Sequence, residues 1–276
     1  MSASRETYEK IKALEIQGAM KIAKAALLAL SRDMIDLPGE DPRKIVELLS
    51  SARPNEPMLR NMLKLFVREA RGLEGEVQLN DLASSILEEI EAGEKRIYEF
   101  GAQLIHEGTK VFTHCHSSTA VGILKEAKRQ GKNFTAFTTE TRPRYQGRIT
   151  ARELAEAGIE VYHMVDSAGK YAIDGADLFL FGADSVLPSG YLINKVGTGI
   201  FCVVASKYDV PTYCATHTMK IAGDRIDEAV EERDPSEVWP DAPHGVKIRN
   251  PAFDKVHLKY ITAFITEKGI QKSILD

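Results

Sequence analysis

Cys115 lies between two histidines in the string Thr113-His114-Cys115-His116-Ser117-Ser118, which separates an apolar run (Val111, Phe112) from a helical one (Ala120, Val121, Ile123, Leu124). A cysteine where a strand hands over to a helix meets the positive end of the helix dipole and free backbone N–H groups, and both favour thiolate. Further on, Phe181-Gly182-Ala183-Asp184-Ser185 places a carboxyl after an apolar strand in the same manner. One soft base and one carboxyl at the same edge of a sheet suggest acid–base chemistry.

Each residue has a plainer reading beside the chemical one. A free cysteine is often just a small buried apolar side chain, although the two flanking imidazoles weigh toward reactivity. Zinc fits poorly, because adjacent residues diverge and no second Cys/His pair has ligand spacing. Asp184 also suits a helix N-cap; its pairing with Cys115 across neighbouring strand ends raises the catalytic reading. Arg142, in Glu140-Thr141-Arg142-Pro143, is either a surface arginine of a turn or a guanidinium projecting over the rim to hold a phosphate bidentately. The stretch Asn194-Lys195-Val196-Gly197-Thr198-Gly199 offers a lysine, a hydroxyl and flexible backbone N–H groups at a helix start, suited to an anion. Its plain alternative is a helix packed closely on a strand. The stretch lacks the third glycine of a dinucleotide fingerprint and the spacing of a Walker lysine, so neither NAD nor a nucleoside triphosphate is expected.

The elements that must hold these groups follow from the apolar periodicity. Residues 5–106 read as helix only, with Ile11, Leu14, Ile22, Ala26 and Leu30, then Met58, Leu59, Met62, Leu63 and Phe66, then Leu82, Ile86, Ile90, Ile97 and Leu104 at helical spacing. Loops fall at Asp36–Pro42 and near Arg71-Gly72, and Ile16-Gln17-Gly18-Ala19 breaks a helix either as a plain loop or to bring backbone to a ligand. From residue 109 the period changes. Strands at 109–113, 134–138, 160–165, 177–181 and 210–215 alternate with helices at 117–130, 148–157 and 197–208, and a small hairpin is inserted at 186–194. The acidic run Asp227–Asp234 reads as a solvated helix end. The expectation is an α/β protein with a helical N-terminal domain (1–107) and a Rossmann-like C-terminal domain (108–276), whose mostly parallel sheet is covered by helices. Ligands of such sheets bind beyond the carboxyl ends of the strands, and nearly every polar cluster of the second half is expected at that rim.

Composition narrows the function classes. The chain has 276 residues, 43% of them hydrophobic and 28% charged, as in ordinary soluble globular proteins. A formal net charge of −4 argues against bulk nucleic-acid binding. No apolar run is long enough for a membrane span, and the N-terminus is polar and amphipathic rather than signal-like. Three cysteines without framework spacing fit a reducing cytoplasm.

Several ordered strings carry a family likeness: Thr113-His114-Cys115-His116-Ser117, Thr139-Glu140-Thr141-Arg142-Pro143, Val165-Asp166-Ser167-Ala168, Gly182-Ala183-Asp184-Ser185, Ile193-Asn194-Lys195 and Asn250-Pro251-Ala252-Phe253-Asp254. Together they resemble archaeal ribose-1,5-bisphosphate isomerase, within a superfamily that also holds methylthioribose-1-phosphate isomerases and the regulatory subunits of initiation factor 2B. The likeness runs from about residue 10 to 270. It implies a homo-oligomer, dimer or hexamer, with no metal or organic cofactor. It also implies Cys115 as proton acceptor and Asp184 as proton donor. The substrate contacts it implies are Gln17, Gly18, Ala19 and Met20, Arg53, Ser117, Ser118 and Thr119, Asn194, Lys195 and Lys220. Enzymes of this family supply ribulose 1,5-bisphosphate to a carboxylase during AMP breakdown.

The chain departs from the family pattern in three places. Gln17-Gly18-Ala19 stands for the usual Arg-Gly-Ala, Ser118 for a frequent lysine, and His217-Thr218-Met219-Lys220 for Glu-Thr-Tyr-Lys. Two cationic phosphate ligands are thus absent, with Arg60, Lys170 and His217 as candidate replacements. The expected activity is isomerisation of ribose 1,5-bisphosphate to ribulose 1,5-bisphosphate, an aldose–ketose conversion of a phosphorylated sugar. The alternative is a non-catalytic subunit like those of initiation factor 2B, sensing a sugar phosphate or nucleotide. A sugar-phosphate-binding transcription regulator lacks any recognisable DNA-reading helix or basic patch.

Overall fold

The computed structural model describes residues 2–16, 18–73, 75–223 and 231–275. They form two compact units, one drawn from Met1–Gly93 with Met219–Glu228 and the other from Glu94–Thr218 with Ala229–Asp276.

The first unit is helical. It contains α1 (Ala3–Lys12), α2 (Ala19–Asp36), α3 (Pro42–Ser51), α4 (Pro57–Glu69) and the first part of α5 (Glu76–Ala102). The apolar spacing translates directly into burial. Ile22, Ala23, Ala26, Leu27 and Leu30 of α2 meet Leu59, Met62, Leu63 and Phe66 of α4 in one core, completed by Ile11, Leu49, Ala83 and Ile90. The helix starts carry their own signals: Asp41 accepts the Arg43 N–H ahead of Pro42, and Pro57 opens α4. Asp33, buried in α2, accepts the N–H groups of Ala3 and Ser4 at 2.8 and 2.9 Å and so closes the start of α1.

The second unit is built on a seven-stranded sheet in the order β10-β9-β7-β4-β1-β2-β3. Its strands are β1 (Lys110–Thr113), β2 (Thr135–Thr139), β3 (Glu160–Met164), β4 (Leu178–Gly182), β7 (Thr212–Ala215), β9 (Ala263–Thr266) and β10 (Gly269–Gln271). All neighbours pair in parallel except β10 with β9. The connecting helices are α6 (Ser118–Arg129), α7 (Gln146–Glu156), α8 (Gly169–Asp174) and α9 (Thr198–Lys207). A separate antiparallel sheet of β5 (Ser185–Leu187), β6 (Tyr191–Lys195) and β8 (Phe253–His257) is inserted between β4 and β9. One part of the core joins Val111, Leu178, Leu180 and Ile265 to Ala120, Ile123 and Leu124 of α6 and to Ile97 and Ala102 of α5. Another packs Phe112 and Phe179 against Phe201 of α9, with Phe181 against Phe179.

The chain moves outward from β1 through β2 to β3, then returns to place β4 on the other side of β1. The strand order therefore reverses between β1 and β4, and a crevice opens at such a switch point in open α/β sheets.

The α/β class, the parallel strands and the inserted hairpin agree with the sequence reading. Three strands went unread, β8, β9 and β10, because their short segments carry little alternation. The sequence boundary at 107/108 differs from the division at Gly93/Glu94, which falls inside α5: Ile97 and Ala102 of its last turns belong to the core of the sheet. The acidic run is not a helix end in its described part. Glu232 forms a bridge with Pro251, and the Arg233 N–H donates to the Asn250 carbonyl; Asp227–Val230 lie outside the described residues.

Candidate active site at the carboxyl ends of the strands

Cys115 follows β1 and Asp184 follows β4, so the two residues flank the switch point. Asp184 is not a helix N-cap, since it sits in the two-residue link between β4 and β5, with its N–H on the Ile193 carbonyl. Its charge acts on the thiol of Cys115 and on the ammonium of Lys195 at the end of β6. The second unit thus brings Cys115, Asp184 and Lys195 into one electrostatic neighbourhood.

Cys115 has a left-handed backbone, with φ of 67°. Two threonines hold it there. Thr141 Oγ1 accepts the Cys115 N–H at 3.0 Å, and Thr150 Oγ1 donates to the Cys115 carbonyl at 2.8 Å. Thr141 is itself clamped, because the carboxylate of Asp166 accepts the N–H groups of Thr141 and Arg142, both at 2.8 Å.

The expectation of a thiolate is corrected. Burial pushes the Cys115 thiol up to about 12, the charges of Asp184 and Asp166 push the same way, and Lys195 and the His116 N–H oppose them without prevailing. Removal from water is the largest effect on this group, and the resting group is a neutral thiol. Lys195, 8% exposed, is displaced in the opposite sense: burial lowers its pKa and the charge of Arg233 lowers it further.

The flanking histidines do not touch the thiol chemistry directly. His114 is buried, with Nδ1 at 2.8 Å from Thr139 Oγ1 and Nε2 at 2.9 Å from the Val196 carbonyl. A carbonyl only accepts, so Nε2 carries the proton and Nδ1 accepts from the threonine. Burial keeps this imidazole below its ordinary pKa, hence neutral. Its ring packs on Phe201 and leaves no room at Gly197, where an added Cβ would stand 2.8 Å from Nε2. His116 Nδ1 lies 3.1 Å from Thr150 Oγ1. That hydroxyl already gives its proton to the Cys115 carbonyl, so the imidazole donates.

The expected anion site at 194–199 is already filled. Asp254 of β8 places Oδ2 at 2.8 Å from the N–H groups of both Gly197 and Gly199, supplying a carboxylate to the N-terminus of α9. Asn194 serves the same turn: its Nδ2 donates to Thr198 Oγ1, which donates to the Lys195 carbonyl.

The remaining expected residues divide between the units. Ser117 caps α6 by accepting the Ala120 N–H at 3.3 Å and lies against Gly182 of β4, where a Cβ would stand 2.3 Å from its Oγ. Ser118 is exposed and Thr119 buried in the first turn of α6. Arg142 is exposed; its guanidinium donates to the Tyr145 hydroxyl and to the carbonyls of Pro143 and Val238. In the helical unit, Gly18 precedes α2 with φ of 90°, and Ala19 and Met20 open that helix; Gln17 lies outside the described residues. Arg53 follows α3 and reaches Glu56 at 3.8 Å. Asn61 of α4 pins the carbonyls of Met219 and Ile221 on either side of Lys220. Among the candidate replacement cations, Lys170 pairs with Asp174 at 3.7 Å and His217 lies 3.7 Å from Glu267.

Sequence reasoning missed Thr141, Thr150, Asp166 and Asp254 as supports of the site. Thr141 and Asp166 stand at strand ends, which was a usable signal. Thr150 and Asp254 meet their partners only through the fold.

The Initiation factor 2 subunit family model matches residues 10–273. The ribose 1,5-bisphosphate isomerase of Methanocaldococcus jannaschii is 38% identical, over 98% of this chain and 92% of its own length. That of Thermococcus kodakarensis is 35% identical, over 96% and 89%. Among solved structures, the translation initiation factor eIF-2B of Pyrococcus horikoshii superposes with a TM-score of 0.83 at 29% identity, covering 97% of this chain and 96% of its own.

Proposed function

The chain belongs to the Initiation factor 2 subunit family, and on that premise we propose that it is an aldose–ketose isomerase converting ribose 1,5-bisphosphate to ribulose 1,5-bisphosphate. The observation that carries the reading is the placement of Cys115 and Asp184 on either side of the β1/β4 switch point, within reach of each other's charge. The names of the archaeal relatives at 35–38% identity support the substrate.

A sugar bearing phosphate on C1 is locked as a ring, so the ring opens before hydrogen moves. Asp184, protonated, gives its proton to the ring oxygen as the C1–O bond breaks, leaving a cation at C1. Cys115 as thiolate takes the C2 hydrogen as a proton, and the electron pair of that bond forms the C1–C2 double bond of an enol. Asp184, now a carboxylate, accepts the proton of the C2 hydroxyl while C1 takes the proton back from the thiol. The ketose results and both groups return to their starting forms. The neutral resting thiol first passes its proton to the Asp184 carboxylate, which forms the thiolate and the acid together, and Lys195 is the cation that favours the thiolate. Thr141 and Thr150, with Asp166 behind Thr141, hold the Cys115 backbone without entering the reaction.

The reading carries with it a homo-oligomer, dimer or hexamer, acting in the cytoplasm in AMP breakdown. Exposed Tyr171 of α8 with Ile200 and Val203 of α9 supports self-association. Among the described residues no helix is long and apolar enough to cross a membrane.

The test is 31P NMR of the purified protein with ribose 1,5-bisphosphate. Appearance of the ribulose 1,5-bisphosphate signals supports the reading, and an unchanged spectrum at stoichiometric protein refutes it. The fit to the Pyrococcus horikoshii initiation factor favours a second reading, a non-catalytic subunit. Inertness combined with capture of an initiation-factor subunit supports that one.

A further inference from the structure

Cys115 and Lys195 act on each other's charge, yet they stand on different sheets. Cys115 follows β1 of the seven-stranded sheet, and Lys195 ends β6 of the antiparallel one. The ammonium favours the thiolate only as far as the two sheets keep it close, because a charge interaction falls with separation. Something must therefore fix one strand end against the other, and His114 is placed to do it.

His114 immediately precedes Cys115, is 2% exposed, and commits both ring nitrogens to strand ends other than its own. Nδ1 accepts from Thr139 Oγ1 at the end of β2, two residues before the Thr141 hydroxyl that takes the Cys115 N–H. Nε2 donates at 2.9 Å to the carbonyl of Val196, the residue after Lys195. That carbonyl belongs to a well-held stretch of backbone: the Val196 N–H donates to the Ala252 carbonyl, and the Gly197 N–H to Asp254. The edge of Phe201 packs on the imidazole at 4.8 Å between centroids. Glycine at 197 permits the close approach, since a Cβ there would meet Nε2 at 2.8 Å. The side-chain chemistry suits the task. A neutral imidazole offers one donor and one acceptor, as a carbonyl on one side and a hydroxyl on the other require. Burial keeps it neutral, so it adds no second cation beside Lys195.

We propose that His114 is a positioning residue, which ties the end of β1 to the end of β6 and so holds the Lys195 ammonium where it acts on the Cys115 thiol. Its part in turnover rests on the isomerase reading, in which the thiolate forms before the C2 proton moves. Its effect on the thiol itself does not.

The test is a double-mutant cycle on the full chain, read as the rate of Cys115 alkylation by iodoacetamide at pH 9. His114→Phe keeps a ring of similar size and loses both bonds. It is expected to slow alkylation about threefold to tenfold, as a rise of up to about one unit in the thiol pKa would. His114→Gln, whose amide can still donate to the Val196 carbonyl, should return the rate to within about twofold of the wild type. In a Lys195→Met background, His114→Phe should slow alkylation no further. Should His114→Phe fail to fold, His114→Asn, too short to reach Val196, replaces it in the cycle. With ribose 1,5-bisphosphate, kcat should fall by the same factor as the alkylation rate while KM holds. Alkylation needs no turnover, so an inert protein showing this pattern keeps the positioning role and loses the isomerase reading. A damaged turn would expose the thiol and speed its alkylation. That result, equal slowing in both backgrounds, or a glutamine variant no better than phenylalanine overturns the proposal.

Discussion

Two strand-to-helix turns of the sheet unit, one entering α6 and the other α9, start from similar sequence and arrive at opposite chemistry. Each places glycine, serine or threonine beside a reactive side chain at the start of a helix. At the α6 turn the helix is capped from within by Ser117, and Cys115 lies just outside, buried and with a left-handed backbone. At the α9 turn the N–H groups of Gly197 and Gly199 are taken by Asp254, which arrives from another sheet. A helix N-terminus attracts an anion only until the protein supplies its own. What distinguishes a working edge from a structural one is therefore the long-range partner that reaches it.

This contrast can be tested from its strongest consequence downward. Cys115→Ser is expected to cut turnover by about 10²–10⁴-fold, the usual contribution of a positioned acid or base, with an unchanged circular dichroism spectrum. Retained activity would remove the α6 turn from the chemistry. Asp254→Ala should act chiefly on stability, losing about 1–3 kcal/mol in urea unfolding because two backbone donors go unanswered. A variant as stable as the wild type would mean that the α9 turn does not depend on its carboxylate.

The thiol supplies a pH test whose sign follows from burial. With its pKa pushed up to about 12, the thiolate fraction at lower pH grows about tenfold per unit. Alkylation of native Cys115 by iodoacetamide, followed by peptide mass spectrometry, should accelerate across pH 7–10. A rate already level at pH 7 would indicate a thiolate at rest. The smallest effect is expected for Thr150→Val, which removes the hydroxyl bonded to the Cys115 carbonyl. One such bond is worth about 1 kcal/mol, giving a loss of a few-fold in kcat.

The α6 turn was legible in the sequence because its start signals are local: the apolar run Val111-Phe112, the capping serine and the helical spacing after it, whereas the threonines that hold Cys115 are remote. That β1 to β4 are parallel strands alternating with helices was legible for the same reason, but their order in the sheet was not. The α9 turn was not, since Asp254 is remote in the chain and nothing near Gly197 announces it. The thiol state was misread on the same grounds. The helix start is local, but the burial that opposes it is built by residues from the ends of several strands. Strands β8 to β10 escaped because their ladders, not their side-chain patterns, define them.

The left-handed backbone at Cys115 sets activity against durability. An L-residue in that region lies about 1–2 kcal/mol above its right-handed form, whereas glycine enters it freely. Among inactive replacements, Cys115→Gly is thus expected to melt higher than Cys115→Ala, the reverse of the order found in helices.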